Sequence, residues 1–295
     1  MWSSIAPLSR NNMSLAIPED VQYEVVADVY GESALLQLAD VRQMTSAVED
    51  HVVAGEFNWP AGMANVAEGA AKPTVDGGLD SWQIVANKMA VFVIVTDELL
   101  AESAVDIVQY YRDAITQRMS QLIDLHGIHG GGPFGTESLT NGAANSVTLG
   151  TGADIAADLA SGLAAVEEAD HAPSGFLSAR RLKSQLRDLR DGNGRPLYNE
   201  SLVADTPDQI WGEPIYYIGR GMFPNDLSAV QAVTGDFSRY IIGLREQLSF
   251  SLHNEGTVDG INLLETNQTA LRAEMRLGAK VTAGDAFSLF VNPAA

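Results

Sequence analysis

The 295-residue chain contains no cysteine. Disulfides, thiolate metal sites and cysteine nucleophiles are therefore excluded, and the fold must hold by packing alone. Positive charge is scarce: 18 Lys and Arg stand against 38 Asp and Glu, a formal charge of −20. No broad basic face is available for gripping phosphate, so nucleic acid is expected to be a neighbour rather than a ligand. Long apolar runs are missing too. The longest, Met89 to Val95 (MAVFVIV), falls well short of the ~18 residues that suggest a membrane span. The opening MWSSIAPLSRNNMSLAIPED lacks the basic and apolar regions of a signal peptide. A soluble chain is expected, suited to a reducing cytoplasm and touching no membrane. What the chain has in quantity is apolar residues, 46% of the total. At this length they suffice for one large core or two closely packed ones, and disordered, collagenous and fibrous classes are excluded.

Residues 1–20, with Asn11, Asn12 and Pro18, read as an extended arm. From Val21 to about Val53 apolar residues recur at mixed spacing, which fits short helical pieces better than a sheet. Residues 55–80 are dense in Gly, Pro and Ala and lie between the strand-like VVAGEF and WQIVANKMAVFVIV. Two strands joined in this way form a hairpin-like excursion that cannot bury much of itself, and it is expected to pack on a neighbouring subunit. After Thr96 the spacing turns helical. Asp97 and Glu98 occupy the first turn, where carboxylates oppose the positive end of the helix dipole. Apolar residues then recur every three or four positions to Ile123, predicting one helix ending near His126 and Gly127, a rod of roughly 45 Å.

The Gly- and Asn-rich GGGPFGTESLTNGAANSVTLG reads as a loop with one marginal strand. Ala153 to Ala169 reads as a helix, GFLSA as a short buried strand, and Arg180 to Arg190 as a basic helix. From Gly212 onwards strands dominate: IYYIG, AVQAVTG, RYIIGLREQLSFSLH, ALRAEMRLGAKV and AFSLFV, separated by the turn signals GDF, NEG and AGD. The expected class is α+β, with no repeat at a fixed period.

Ordinary catalytic chemistry is thinly represented. His126 and His129 have a metal-like spacing, but no third or fourth ligand follows and the glycines after them suit a helix terminus. GGGPFG has no Lys-Ser/Thr after it and follows a helix rather than preceding one, so it reads as a hinge and not a phosphate loop. Asp188, Asp191 and Asn193 lack the distal Glu of a calcium loop and read as a turn. No nucleophile constellation can be assembled. No metal and no cofactor are expected.

Several phrases in fixed order carry a family resemblance: AEGAAKP at 67–73, KMAVFVIVTDELLAES at 88–103, LKSQLRDLRDGNGRPL at 182–197, GEPIYYI at 212–218, GDFSRYIIGLR at 235–245 and LRAEMRLGAKVTAGDAF at 271–287. Together they make the chain resemble the major capsid proteins of tailed bacteriophages, whose fold is named after phage Hong Kong 97. The resemblance implies an N-terminal arm and short helix over 1–50, an extended loop over 51–95 and a peripheral domain with a spine helix over 96–150. It also implies an axial domain mainly over 151–250 and return strands of the peripheral domain over 251–295. Such proteins are not enzymes. They tile as hexamers and pentamers into an icosahedral shell around double-stranded DNA, which they enclose without reading its sequence. A separate scaffolding protein, a portal and a maturation protease are the partners implied, with assembly in the host bacterial cytoplasm and residence in the virion. Two alternatives stay open: an encapsulin-type nanocompartment shell, and an acidic α+β enzyme whose site cannot be assembled from the sequence.

Some members of the family cross-link after expansion, a loop Lys attacking an Asn side chain on a neighbouring subunit and releasing ammonia while a Glu accepts the proton. The resemblance aligns Lys72, one of only four lysines, with the reactive amine, Asn267 with the amide and Glu274 with the acid. Such a Lys must be neutral to attack, and deprotonating a solvated one near neutral pH costs roughly 4 to 5 kcal/mol. The site would therefore need burial against apolar surface beside Glu274, after subunits dock. The alternative is that Lys72 is a solvated loop charge or one half of an ion pair, with Asn267 and Glu274 ordinary polar groups at strand edges. The same resemblance makes Glu68, Arg112, Arg118, Arg272 and Arg276 candidates for ion pairs between subunits. Arg180, Arg181, Lys183, Arg187 and Arg190 form the one basic cluster. They could touch packaged DNA or an adjacent subunit, but a solvated helix face paired with Asp188 and Asp191 is the preferred reading.

Overall fold

In the computed structural model, residues 33–57, 77–102, 106–152, 154–188, 208–219 and 230–293 are described. Helix α1 (Ala34–Leu38) begins at Ser33, whose hydroxyl accepts from the Leu36 amide, a normal way to satisfy a free helix N–H. Strand β1 (Asp40–Gln43) follows, then β2 (Val48–Phe57) and β3 (Gly77–Val85), which pair antiparallel as a hairpin. After the single residue Ala86, strand β4 (Asn87–Thr96) leads into helix α2 (Asp97–Glu102). The long helix α3 (Ile107–His129) starts afresh at Asp106, whose carboxylate accepts from the Gln109 amide.

Two expectations are corrected here. The helical pattern after Thr96 is not one rod but two helices, because the Asp106 cap opens a new one. At ~1.5 Å per residue, α3 is roughly 34 Å long, and it ends at His129, beyond the expected stop. Over the described part of 21–53, α1 is the only helical piece, and Asp40–Gln43 and the run from Val48 are strands. Strand β1 pairs in parallel with residues 241–244, a partner some two hundred residues away that local spacing cannot reveal.

The remaining elements are α4 (Leu139–Gly142), β5 (Asn145–Thr148), α5 (Ile155–Glu168), β6 (Gly175–Ala179), α6 (Arg180–Arg187), β7 (Asp208–Ile210), β8 (Glu213–Ile218), β9 (Val230–Gly235), β10 (Tyr240–His253), β11 (Thr257–Val258), β12 (Ile261–Asn262), β13 (Gln268–Val281) and β14 (Phe287–Val291). They build a four-stranded sheet in the order β1-β10-β13-β4 and a six-stranded sheet in the order β5-β14-β9-β6-β8-β7. The α+β class expected from the sequence is the class observed.

Strand periodicity decides which side of the first sheet faces the core. Along β13, Leu271, Ala273, Met275 and Leu277 are buried and join Ile115, Met119 and Ile123 of α3. The alternating residues Arg272, Glu274 and Arg276 stand on the opposite face, away from α3, as a period of two requires. A second core joins Phe176, Ile215, Ala232 and Phe290 of the six-stranded sheet to Leu159 of α5 and to Leu182 and Leu186 of α6.

The hairpin root rests on two glycines. Gly243 of β10 and Gly278 of β13 are direct cross-strand partners. A Cβ at Gly278 would run into the Val85 carbonyl, and one at Gly243 into the Met44 thioether; Ile84 Cγ2 would lie 3.1 Å from either. Met44, Ile84 and Ile241 fill this bare patch as a small core of their own. Glycine is needed here for the close approach of one backbone to another.

Candidate functional site

A two-stranded ribbon is marginal by itself in water, and this one spends little of its apolar surface on its own subunit. Val52 is 66% exposed and Leu79 78% exposed. The ribbon also carries Glu49, Asp50, Glu56 and Asp80 and has neither Lys nor Arg. His51 stacks on Trp82 across the strands, with centroids 4.2 Å apart, and Asp50 accepts from the Gln83 amide group at 2.7 Å. Glu49 accepts from the Thr45 backbone N–H at 2.6 Å, which holds its carboxyl below the ordinary range.

Next to the ribbon root, α3 and β4 enclose a cleft of about 490 Å³. Met89, Val91, Ile115, Met119 and Leu122 supply apolar walls and Arg118 and His126 polar ones, while Lys88 borders the cleft with its ammonium turned to Glu274 on the other side of the sheet. Strand β4 is the edge of its sheet, so one side of its backbone has no strand partner within the described residues.

The face of the same sheet away from α3 concentrates charge. Lys88 Nζ lies 2.8 Å from Glu274 Oε1, and Arg272 Nε lies 3.7 Å from that oxygen while donating to Ser251 Oγ at 3.1 Å. Arg276 Nε is 3.2 Å from Glu246. The Lys88 hydrogen bond, helped by the charges of Arg272, Lys88 and Arg276, holds the Glu274 carboxyl below its usual range. Lys88 was not among the residues singled out from the sequence. Its place opposite Arg276 depends on strand register, which the sequence alone does not display.

Among the candidates for covalent chemistry, Lys72 and Glu68 lie outside the described residues. Asn267 is exposed at the corner before β13, in a left-handed conformation (φ 48), and its carbonyl accepts from the Asp97 amide at 3.0 Å. Glu274 is seven positions further along the chain, roughly 23 Å of strand at ~3.3 Å per residue. The two are therefore not brought together within one chain. Arg112 lies over the Phe250 ring, 5.8 Å from its centroid, and Arg118 donates to Gln121 at 3.2 Å.

On α6, Lys183 pairs with Asp208 at 2.7 Å and stands 4.9 Å from the Tyr217 ring centre. Its described ion-pair partner is thus Asp208 on β7; Arg190 and Asp191 lie outside the described residues. His126 Nδ1 faces the Gly130 carbonyl at 3.1 Å, and His129 is the last residue of α3.

Two buried acids, Asp124 and Asp158, escaped the sequence reading. Asp124, on the inner face of α3, takes the Ser33 hydroxyl at 2.6 Å and the Leu35 amide at 3.1 Å on Oδ1, and the Ala34 amide at 3.4 Å on Oδ2. It ties α1 to the long helix. Burial pushes its carboxyl up to about 6 despite these hydrogen bonds. The available signal was an acid at a buried position of the stripe formed by Met119, Ile123 and Gly127.

With this geometry in hand, comparisons place the chain among known proteins. A family model described as "Phage capsid family" matches residues 14–292. The "Probable major capsid protein gp17" of Mycobacterium phage D29 is 25% identical over 242 residues, covering 77% of this chain and 75% of the relative. A solved chain from Microbacterium phage Oxtober96 superposes with a TM-score of 0.75 at 25% identity, covering 97% of this chain and 99% of the other. A solved structure titled "Capsid of empty GTA particle computed with C5 symmetry" superposes with a TM-score of 0.70 at 20% identity, covering 99% and 96% of the two chains.

Proposed function

The chain belongs to the phage capsid family, with the Hong Kong 97-type fold, and on that premise we propose that it is a major capsid subunit. Copies of it would assemble as hexamers and pentamers into an icosahedral shell around double-stranded DNA. The observation that carries this reading is the acidic β2–β3 ribbon with its exposed Val52 and Leu79, on the same molecule as an apolar cleft bordered by Arg118. Each subunit thus offers both halves of a contact, which suits a heterologous, ring-closing interface. The four-stranded sheet with α3 would form the peripheral domain and the six-stranded sheet with α5 and α6 the axial domain. Strands β5 and β14 link the chain segments at 145–148 and 287–291 within the axial layer. A scaffolding protein, a portal and a maturation protease would act on the shell during assembly in the host cytoplasm.

A wall of net charge −20 suits a container whose polyanionic contents must slide in without sticking. Electron cryomicroscopy of particles from cells expressing the chain, with nuclease digestion before the nucleic acid is extracted, tests the reading. Shells holding protected DNA in the phage context are the expected result. Protein cargo in place of DNA would point to a nanocompartment. A stable 31.5 kDa monomer under all assembly conditions would refute the shell.

Cross-linking is the finer proposal. The Lys72 amine would attack Asn267 Cγ, forming an isopeptide and releasing ammonia, with Glu274 taking the ammonium proton as the bond forms. The exposure of Asn267 at its corner supports this reading. The span between Asn267 and Glu274 requires the amide and the acid serving one bond to come from different subunits, and Glu274 would have to exchange its pairing with Lys88. Denaturing electrophoresis of mature particles should show a ladder that Lys72→Arg abolishes; a single monomer band from wild-type particles counts against it. The ion pairs proposed between subunits involve Glu68, Arg112, Arg118, Arg272 and Arg276.

A further inference from the structure

Four non-glycine residues among those described hold a positive φ: Asp170, Trp211, Asp259 and Asn267. Asp and Asn enter this region readily because their short polar side chains bond to the local backbone. Tryptophan has no such compensation. Trp211 (φ 51) and Gly212 (φ 93) form the two-residue turn between β7 and β8, closed by the pairing of Ile210 with Glu213. Positive φ at both turn residues is the type I′ pattern, which sequences ordinarily fill with Asn-Gly or Asp-Gly. Here the second residue follows the rule, and the first is a bulky aromatic that strains it.

Burial does not account for the choice. The neighbouring Ile210 enters the core beside Ile215 and Leu182, whereas Trp211 is 54% exposed. Among the described residues strand β7 is the outermost of the six-stranded sheet, so the indole stands at the turn of an edge hairpin. The residue strains its own turn and leaves half its surface in water. Folding of the single subunit gains from neither.

We propose that Trp211 is an anchor by which one subunit docks on a second copy of this chain. The proposal rests on the shell reading above and adds to it a specific contact residue. Tryptophan is among the side chains that contribute most per residue at protein interfaces, because it covers a large area with little rotamer entropy to lose. Base stacking would be the other use of an exposed indole, but the surroundings oppose phosphate. Asp208 and Glu213 bracket the turn, Lys183 is already paired with Asp208, and the molecule as a whole is strongly acidic.

The turn strain makes the proposal testable in a way that separates docking from folding. Full-length wild type, Trp211→Gly and Trp211→Asn are compared by urea unfolding of the free subunit and by sedimentation of assembled particles over a concentration series. Gly and Asn suit the left-handed turn, so both variants should unfold at the same or higher urea than wild type. Loss of the anchor should raise the concentration needed for half-maximal assembly by about tenfold or more in both. Assembly of Trp211→Gly at the wild-type concentration would overturn the proposal. So would lowered urea resistance in both variants, which would show that the indole supports its own subunit. Failure of the wild-type chain to form particles at all is a separate result that overturns the shell reading and the anchor with it.

Discussion

Asp124 should give this subunit a stability that rises as the pH falls. Its carboxylate is 4% exposed, and its partners are the Ser33 hydroxyl and the Leu35 and Ala34 amides. Burial raises its pKa from 3.8 to about 6. Between those values the folded chain binds more protons at this site than the unfolded chain does, so unfolding free energy falls as pH rises. The contribution is fully present below about pH 4 and lost as pH rises through about 6. The interval between the two pKa values corresponds to about 3 kcal/mol, a large share of the total for a domain whose stability is of order 10 kcal/mol. Asp124→Asn keeps a carbonyl acceptor for Ser33 or Leu35 and cannot ionise. Urea unfolding of both proteins from pH 4 to pH 8 isolates the group, because every other carboxylate titrates in both. The wild-type-minus-variant difference should fall by about 2.4 kcal/mol over that range, most of it between pH 4 and 6.5. A difference constant to within about 0.5 kcal/mol across the range would refute the assignment.

Three other perturbations follow from named contacts. Lys88→Met removes the hydrogen bond that holds the Glu274 carboxyl low, so its pKa should rise toward the ordinary carboxyl range in an NMR pH titration; an unchanged value would mean that Arg272 and Arg276 suffice. Gly278→Ala should cost about 1 to 3 kcal/mol in thermal unfolding, because the new methyl meets the rigid Val85 carbonyl. Gly243→Ala should cost less, since it meets the flexible end of Met44, and the reverse order would contradict the proposed seat of the hairpin. Tyr240→Phe removes a buried hydroxyl that donates to the Gly127 and Glu137 carbonyls at 3.2 and 3.3 Å, for an expected loss of about 1 kcal/mol in urea unfolding.

Legibility in the sequence followed the range of the interaction. The ribbon strands, the helix at Ile155–Glu168 and the late strands were readable because their signals are local: turn residues, caps and apolar spacing. The break before α3 was missed because Asp106 lies inside an uninterrupted apolar rhythm, and its role depends on a hydrogen bond to Gln109 rather than on hydropathy. Strand β1 was missed because its partner is β10. The charged face shows the same limit: Arg272, Glu274 and Arg276 alternate visibly along β13, but Lys88 joins them only through register with β4. Trp211 gave no signal at all, because IWGE does not resemble the turn it forms. Where local preference and observed conformation disagree most, an interaction outside the single chain is the natural place to look.

The distribution of charge carries the argument from fold to assembly. Copies bearing −20 each repel one another once their surfaces approach within ~8 Å, the screening length near physiological salt. Association therefore needs local contrast, and an uneven distribution of charge supplies it. The ribbon is acidic without Lys or Arg, whereas on the sheet at its root Lys88, Arg272 and Arg276 set three cations against Glu274 and Glu246. In the proposed shell, a ribbon approaching that region of the next subunit meets attraction, while most other orientations bring acid against acid. Electrostatics would then select orientation more than affinity, and the exposed apolar residues, Val52 and Leu79 among them, would supply the binding energy once water is expelled. The paired glycines matter to this scheme because they let the ribbon root lie directly on the sheet. Its direction is thereby fixed by backbone contact before any partner arrives, and less conformational entropy remains to be lost on docking.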